Sequence, residues 1–333
     1  MDISGFLEEW NNASDTVLVH TSGSTGTPKP MLAPKAGMLA SARITCDFLG
    51  LKKGDRALLC LPLDYIAGKM MVVRSLERGL ELVSVTPGNH PFASLPDGEP
   101  PFDLVAMVPS QVYCSLSVER ERAMLMSSRN LIIGGGAVSD ALASELASFP
   151  NAVWSTYGMT ETLSHIALRR LSGPERSEWY TPFDTVGLSS DSDGCLVIDA
   201  PLVHETVLKT NDIVEFHPDG RRFRVLGRKD NVICSGGIKL QIETIEEKLR
   251  PFMKVPFCIT KKPDEKFGEK VVLLVEKQMP GIEAAIAALD KYSRPKEIVV
   301  VDSIPLTPTG KIDRKKASFD ILCPSLHIDS QDL

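Results

Sequence analysis

The sequence predicts a mixed α/β protein built on a mainly parallel sheet, and three observations carry that expectation. Short apolar, β-rich runs alternate with helix-like segments through the first two thirds of the chain, the pattern of repeated βαβ units. After Ser164 the alternation fades into short runs joined by turn residues such as Pro218-Asp219-Gly220, which reads as an antiparallel β subdomain. The 333 residues are enough for two domains.

Taken in order, the strands are expected at 16–20, 56–61, 81–85, 104–108, 131–134 and 152–156, with helices at 35–49, 68–78 and 140–149. The antiparallel strands follow at 166–171, 195–199, 213–216 and 223–226, then a helix at 241–249. The tail mixes strands at 271–275 and 297–301 with a helix at 282–289. There is no internal repeat and no low-complexity segment.

Bulk composition excludes several classes. Hydrophobic content of 43% and charged content of 24% are ordinary for a soluble globular protein. A net charge of −6 argues against nucleic acid as a partner, while leaving room for a local basic funnel. The 7 cysteines are scattered with no C-x-x-C pair, so they read as reduced packing residues of a cytoplasmic protein. The 6 histidines show no metal-ligand spacing. The opening MDISGFLEEWNN is acidic and amphipathic, unlike a signal peptide, and no apolar run reaches membrane-spanning length.

The most informative stretch runs from His20 to Pro30. Thr21, Ser22, Gly23, Ser24, Thr25 and Gly26 lie between the apolar strand at 16–20 and Lys29. Glycines let backbone N–H groups turn toward one point, and hydroxyls add donors that rotate to suit an anion, so a phosphate is the expected ligand. The spacing is neither G-x-x-x-x-G-K-[ST] nor G-x-G-x-x-G.

This run resembles the phosphate loop of the adenylate-forming superfamily of acyl-CoA synthetases, luciferases and adenylation domains. Four further segments match that superfamily in order: Tyr157-Gly158-Met159-Thr160-Glu161-Thr162, Thr210-Asn211-Asp212, Gly227-Arg228-Lys229-Asp230 followed by Gly236-Gly237-Ile238-Lys239, and Pro308-Thr309-Gly310-Lys311. The resemblance implies a large AMP-binding domain over 1–229 and a small mobile α+β lid over 230–333, rotating at the hinge Asp230. It implies ATP, Mg²⁺ and coenzyme A as reactants and cofactor. A carboxylate attacks the α-phosphate of ATP, and a thiol then displaces AMP.

The residue roles come from the same resemblance. Lys311, on residue type alone a solvated surface lysine, becomes the charge that stabilises the meeting of carboxylate and α-phosphate. Glu161 becomes the Mg²⁺ ligand, Thr160 an α-phosphate contact, and Tyr157 either the wall against adenine or a packing aromatic. Asp212 is the acceptor for the ribose hydroxyls, or else an Asn-Asp turn at a strand start. Arg228 assists ribose or phosphates. One departure stands out: members of the superfamily carry a whole subdomain before the phosphate loop, which here begins at Thr21. Apolar surface is thereby left to be covered, with a homodimer the expected cover.

The acid substrate is read from Leu61 to Arg74. Asp64 stands where many relatives have a histidine. Lys69 and Arg74 follow Gly68, and the G-x5-R-x-L arrangement is similar to that of o-succinylbenzoate–CoA ligases of menaquinone synthesis. There the arginine pairs with the carboxylate that is not activated, as a diacid requires. The other reading of Arg74 is a helix-surface arginine. Gly134, Gly135 and Gly136 line the same pocket, with Gly135 also assigned to the nucleotide, or make a strand-to-helix turn capped by Ser139. The expected activity is therefore an AMP-forming acid–CoA ligase acting on o-succinylbenzoate. The rivals are another small acyl- or aryl-CoA ligase, or an inactive nucleotide-binding remnant.

Overall fold

The computed structural model describes residues 1–20, 30–306 and 312–318. The chain opens with α1 (Ile3–Asn11), the antiparallel ribbon β1 (Thr16–His20) and β2 (Pro30–Pro34), and α2 (Lys35–Phe48). Then come β3 (Arg56–Leu59), α3 (Ile66–Arg78), β4 (Glu81–Ser84), β5 (Leu104–Met107), α4 (Pro109–Leu116), α5 (Glu119–Ser127), β6 (Asn130–Ile133), α6 (Asp140–Leu146), β7 (Ala152–Gly158), β8 (His165–Arg170) and β9 (Thr181–Pro182). Strands β4-β3-β5-β6-β7 lie parallel in that order, and β8 and β9 extend the sheet antiparallel beyond β7.

Strand pleating divides the large sheet between two cores. Ala57, Leu59, Leu104, Ala106 and Ile132 point to one face, where α2 and α3 contribute Met38, Ala42, Met70 and Val73. Their neighbours Leu58, Val105, Met107, Leu131 and Ile133 point to the other, against Val112, Leu116, Leu125 and Leu142 of α4, α5 and α6. Both faces being covered, β5 and β6 are buried at every residue, which is why, apart from Asn130 at the start of β6, they are written in apolar residues. The helix α3 begins two residues before the expected start and ends at Gly79, whose left-handed backbone caps it by donating to the Ser75 carbonyl at 2.8 Å.

A four-stranded antiparallel sheet follows: β10 (Gly187–Ser190), β11 (Cys195–Asp199), β12 (Leu208–Phe216) and β13 (Phe223–Arg228). A short 3-10 turn at Lys229–Asn231 leads into a smaller unit. This contains β14 (Val232–Ser235), β15 (Ile238–Gln241), α7 (Ile242–Leu249), β16 (Phe257–Asp264), β17 (Gly268–Val275), α8 (Ile282–Ala287) and β18 (Glu297–Val300). Its core sets Ile259, Leu273 and Val275 against Ile245 and Leu249 of α7.

The N-terminal helix α1 buries Phe6 completely in the first core. On the β1–β2 ribbon, Leu18 and Leu32 face each other in register and are both exposed. No helix among the described residues is long and apolar enough to cross a membrane.

Candidate active site

The site residues gather where the parallel strands end. After β6 the chain turns through Gly134-Gly135-Gly136 into α6, whose N-cap Ser139 accepts from the Leu142 amide at 3.3 Å. A Cβ on Gly134 would come within 2.5 Å of Thr156 Oγ1 on β7, so any larger residue there would force the Thr156 side chain to shift. The turn reading of these glycines is thus realised, and it leaves bare backbone facing the strand that carries Tyr157.

The end of β7 is tighter still. A Cβ on Gly158 would fall 2.3 Å from the Ser164 carbonyl oxygen, so the segment 159–164 folds back on itself only because Gly158 lacks one. Thr162, fully buried, ties the turn by accepting from the Met159 amide at 3.0 Å and donating to the Ser164 carbonyl at 2.7 Å. Leu163 adopts φ 61°, a left-handed conformation costing a branched side chain about 1–2 kcal/mol, and its burial in the first core holds it there. The strained turn carries Thr160, buried, and Glu161, half-buried and free of any hydrogen bond or ion pair among the described residues.

Across from β7, β12 and β13 pair Asp212 with Arg228 in register. The Tyr157 hydroxyl donates to Asp212 Oδ2 at 2.6 Å, and Arg228 Nη1 donates to Asp212 Oδ1 at 3.0 Å. Arg228 Nη2 reaches Asp230 Oδ2 at 3.3 Å, which also accepts from Asn211 Nδ2 at 3.1 Å. Arg228, expected on ribose or phosphates, therefore bridges the two acids. Burial first, then the charge of Asp212, pushes the Tyr157 phenol far above its ordinary range, so it stays a donor. A carboxylate offers about four lone-pair sites. With two of them engaged, Asp212 keeps acceptor capacity for a vicinal diol.

Arg74 is the outlier of the molecule. It is 2% exposed, not a surface residue of α3, and forms no ion pair among the described residues. Nη2 donates to Ser164 Oγ at 2.6 Å, Nη1 lies 3.6 Å from Met71 Sδ, and Nε has no partner. Burial pulls its pKa down to about 10, still a cation at neutral pH. From Ser164 a polar chain runs inward: Ser164 Oγ to His165 Nδ1 at 3.3 Å, His165 Nε2 to Thr45 Oγ1 at 3.2 Å, and Thr45 Oγ1 to the Ser41 carbonyl at 3.0 Å. Thr45 gives its proton to the Ser41 carbonyl, so it accepts from His165 Nε2–H, and the neutral ring's Nδ1 is left to accept from Ser164. Burial, with the Arg74 charge second, keeps His165 neutral by holding its pKa well below the usual value. Ser164 and His165 were not among the expected residues. Their signal was position alone, three and four residues past Glu161.

Lys69 does not join this group. It is 3% exposed, donates to Glu9 Oε2 at 3.0 Å and to the Leu18 carbonyl at 2.7 Å, and so is committed to α1 and β1 rather than to a substrate. Thr21, Ser22, Gly23, Ser24, Thr25, Gly26, Lys29 and Lys311 lie outside the described residues.

The parallel sheet, the turn that carries Thr160 and Glu161 at its carboxyl edge, and the carboxylate of Asp212 beside Tyr157 make up the candidate site of an α/β protein. The model of the AMP-binding enzyme family matches residues 6–202, and the chain belongs to that adenylate-forming superfamily, in its AMP-forming acid–thiol ligase family. The chain is 38% identical to an acyl-CoA synthetase (AMP-forming)/AMP-acid ligase II-like protein from Dyadobacter fermentans, over 96% of this chain and 93% of that one, with a TM-score of 0.64. It is 25% identical to a 2-succinylbenzoate–CoA ligase of Bacillus cereus over 93% of this chain and 71% of the relative. It shares its fold with the O-succinylbenzoate coenzyme A synthetase of Bacillus subtilis solved with ATP and magnesium ion: TM-score 0.73, 21% identity, 90% of this chain and 69% of that one.

Proposed function

We propose that this protein is an ATP-dependent acid–CoA ligase whose acid carries a second carboxylate, and that o-succinylbenzoate is that acid. The observation that carries the reading is the buried, ion-pair-free guanidinium of Arg74 beside the Ser164 hydroxyl. A buried cation left without an anion is strongly unfavourable. A fold that maintains one gains from the anion that arrives. A monoacid, its single carboxylate consumed at the phosphate, offers nothing to that cation.

In this reading Asp212 accepts the ribose hydroxyls of ATP, and the ring of Tyr157 borders the base. Thr160 donates to the α-phosphate. Glu161, whose carboxylate has no partner among the described residues, fits one ligand position of a Mg²⁺ ion otherwise held by phosphate oxygens. Bound there, the ion neutralises phosphate charge. The reacting carboxylate oxygen attacks the α-phosphorus and pyrophosphate leaves; Lys311 stabilises the crowded charge. The coenzyme A thiolate then attacks the acyl carbon and AMP leaves. The small unit beginning after Asp230 rotates between the two steps, withdrawing Lys311 and presenting the Ser235-Gly236-Gly237 turn.

The test is a panel of acids assayed for ATP–pyrophosphate exchange and for CoA-thioester formation. O-succinylbenzoate is expected to be turned over, and benzoate and straight-chain monoacids to lag far behind. Equal turnover of monoacids would remove the diacid assignment. Exchange with none of the acids would return the chain to the nucleotide-binding remnant.

A further inference from the structure

We propose that Glu9 and Lys69 form a side-chain clamp on the outer edge of β1, and that this clamp positions the strand leading into the phosphate-loop segment and so governs affinity for ATP. The inference rests on the adenylating reading above.

Among the described residues β1 pairs with β2 alone, so its second edge has no strand beside it. An uncovered edge leaves N–H and C=O groups without partners. At Leu18 both groups are taken by side chains. The Leu18 amide donates to Glu9 Oε1 at 2.8 Å, and the Leu18 carbonyl accepts from Lys69 Nζ at 2.7 Å. The two side chains close the ring on each other at 3.0 Å. One carboxylate and one ammonium thus reproduce the donor and acceptor that a third strand would supply.

The clamp is built in. Lys69 is 3% exposed, and its ammonium lies 5.3 Å from the ring centre of the fully buried Phe6. Burying an ion pair is expensive, but an apolar cover on this edge would leave the Leu18 amide and carbonyl without partners. What the pair adds is direction: it fixes the height of Leu18 against α3 and against α1 together.

Two consequences follow from where the clamp sits. Leu18 precedes His20, the end of β1, by two residues, about 7 Å of extended strand, so pinning it fixes the strand end from which the chain enters the phosphate-loop segment. Lys69 also precedes Arg74 by five residues on α3, about 7.5 Å along the axis. One helix therefore holds the strand that leads to the nucleotide and the cation assigned to the acid.

The test compares Lys69→Met, Glu9→Gln and the double variant with Phe6→Leu, which loosens α1 and takes the ring from beside the ammonium but keeps the three polar contacts of Glu9, Lys69 and Leu18. ATP–pyrophosphate exchange gives KM for ATP and for the acid separately, and thermal unfolding gives stability. The clamp variants are expected to raise KM for ATP about tenfold or more, as loss of a hydrogen bond to a charged group does, with KM for the acid unchanged. Phe6→Leu is expected to lower Tm and leave KM for ATP alone. A shift in KM for the acid would make Lys69 a substrate ligand and overturn the proposal. So would Phe6→Leu reproducing the ATP effect. If the wild-type protein exchanges with no acid, the adenylating reading fails on its own, and direct ATP titration decides the clamp: it stands if Lys69→Met weakens binding about tenfold and falls if affinity is unchanged.

Discussion

The Arg74 guanidinium and the Ser164 hydroxyl meet at 2.6 Å, ninety positions apart in sequence, and no carboxylate among the described residues joins them. His165 is held uncharged next to it, with its proton on the far nitrogen. The arrangement keeps a positive charge dry, oriented and unspent.

Arg74→Met is therefore expected to raise Tm while removing turnover of the diacid. Replacing an unpaired buried cation by an apolar side chain of similar length relieves desolvation. Leaving the substrate's second carboxylate without a partner costs about 3–5 kcal/mol, roughly a hundredfold or more in rate. Thermal unfolding and a pair of acids, o-succinylbenzoate and a benzoate-like monoacid, measure both. A fall in Tm with equal loss on both acids would make Arg74 a structural residue.

Acid is expected to destabilise the protein through His165. Its folded pKa lies well below 6.5, so below that pH the unfolded chain binds a proton that the folded chain refuses. Stability is full above about pH 6.5 and falls by up to about 1.4 kcal/mol per pH unit as pH drops toward the folded value. Denaturant unfolding between pH 7 and 5 measures the slope. His165→Gln should flatten that part of the profile, and an unchanged slope would place the titration elsewhere.

Asp212→Ala is expected to weaken ATP by about 1.5–3 kcal/mol. It should weaken 2′-deoxy-ATP by distinctly less, because one of the lost bonds was never present. Isothermal titration of both nucleotides separates the cases. Asp212 also receives Tyr157 and Arg228, so a drop in Tm should accompany the change. Equal loss for both nucleotides would leave Asp212 with that structural role only.

Lys311→Ala is expected to suppress acyl-adenylate formation by about 10²–10³, the effect of removing one charge-stabilising donor. Thioester formation from supplied acyl-adenylate should largely survive. Single-turnover assays of each half-reaction check the split. Comparable loss in both would count against rotation about Asp230.

Much of the chain's plan was legible before any folding. The strands at Thr16–His20 and Cys195–Asp199 fall where apolar alternation placed them, and β5 and β6 announce themselves as short apolar runs. Other elements left weak traces. β2 begins and ends in proline, which reads as a non-strand unless the strand lies at an edge, where the missing N–H costs nothing. β15 and β16 carry lysine, glutamine and proline among their apolar residues, which blurs the alternation, and β14 is only 4 residues long.

The sequence by itself determined the class of chemistry. Phosphate loops, turn glycines and hinge motifs are local, with their meaning carried by residues within a few positions of one another. The tertiary structure alone decided which charges are available. Lys69 and Arg74 stand five apart on one helix, both long cations and both nearly inaccessible. The first is neutralised by Glu9, sixty positions upstream, and the second meets no carboxylate among the described residues, only the Met71 sulfur and a hydroxyl ninety positions downstream. Whether a buried charge is spent on the fold or kept for a ligand depends on which distant carboxylates reach it, and helical spacing carries no record of that.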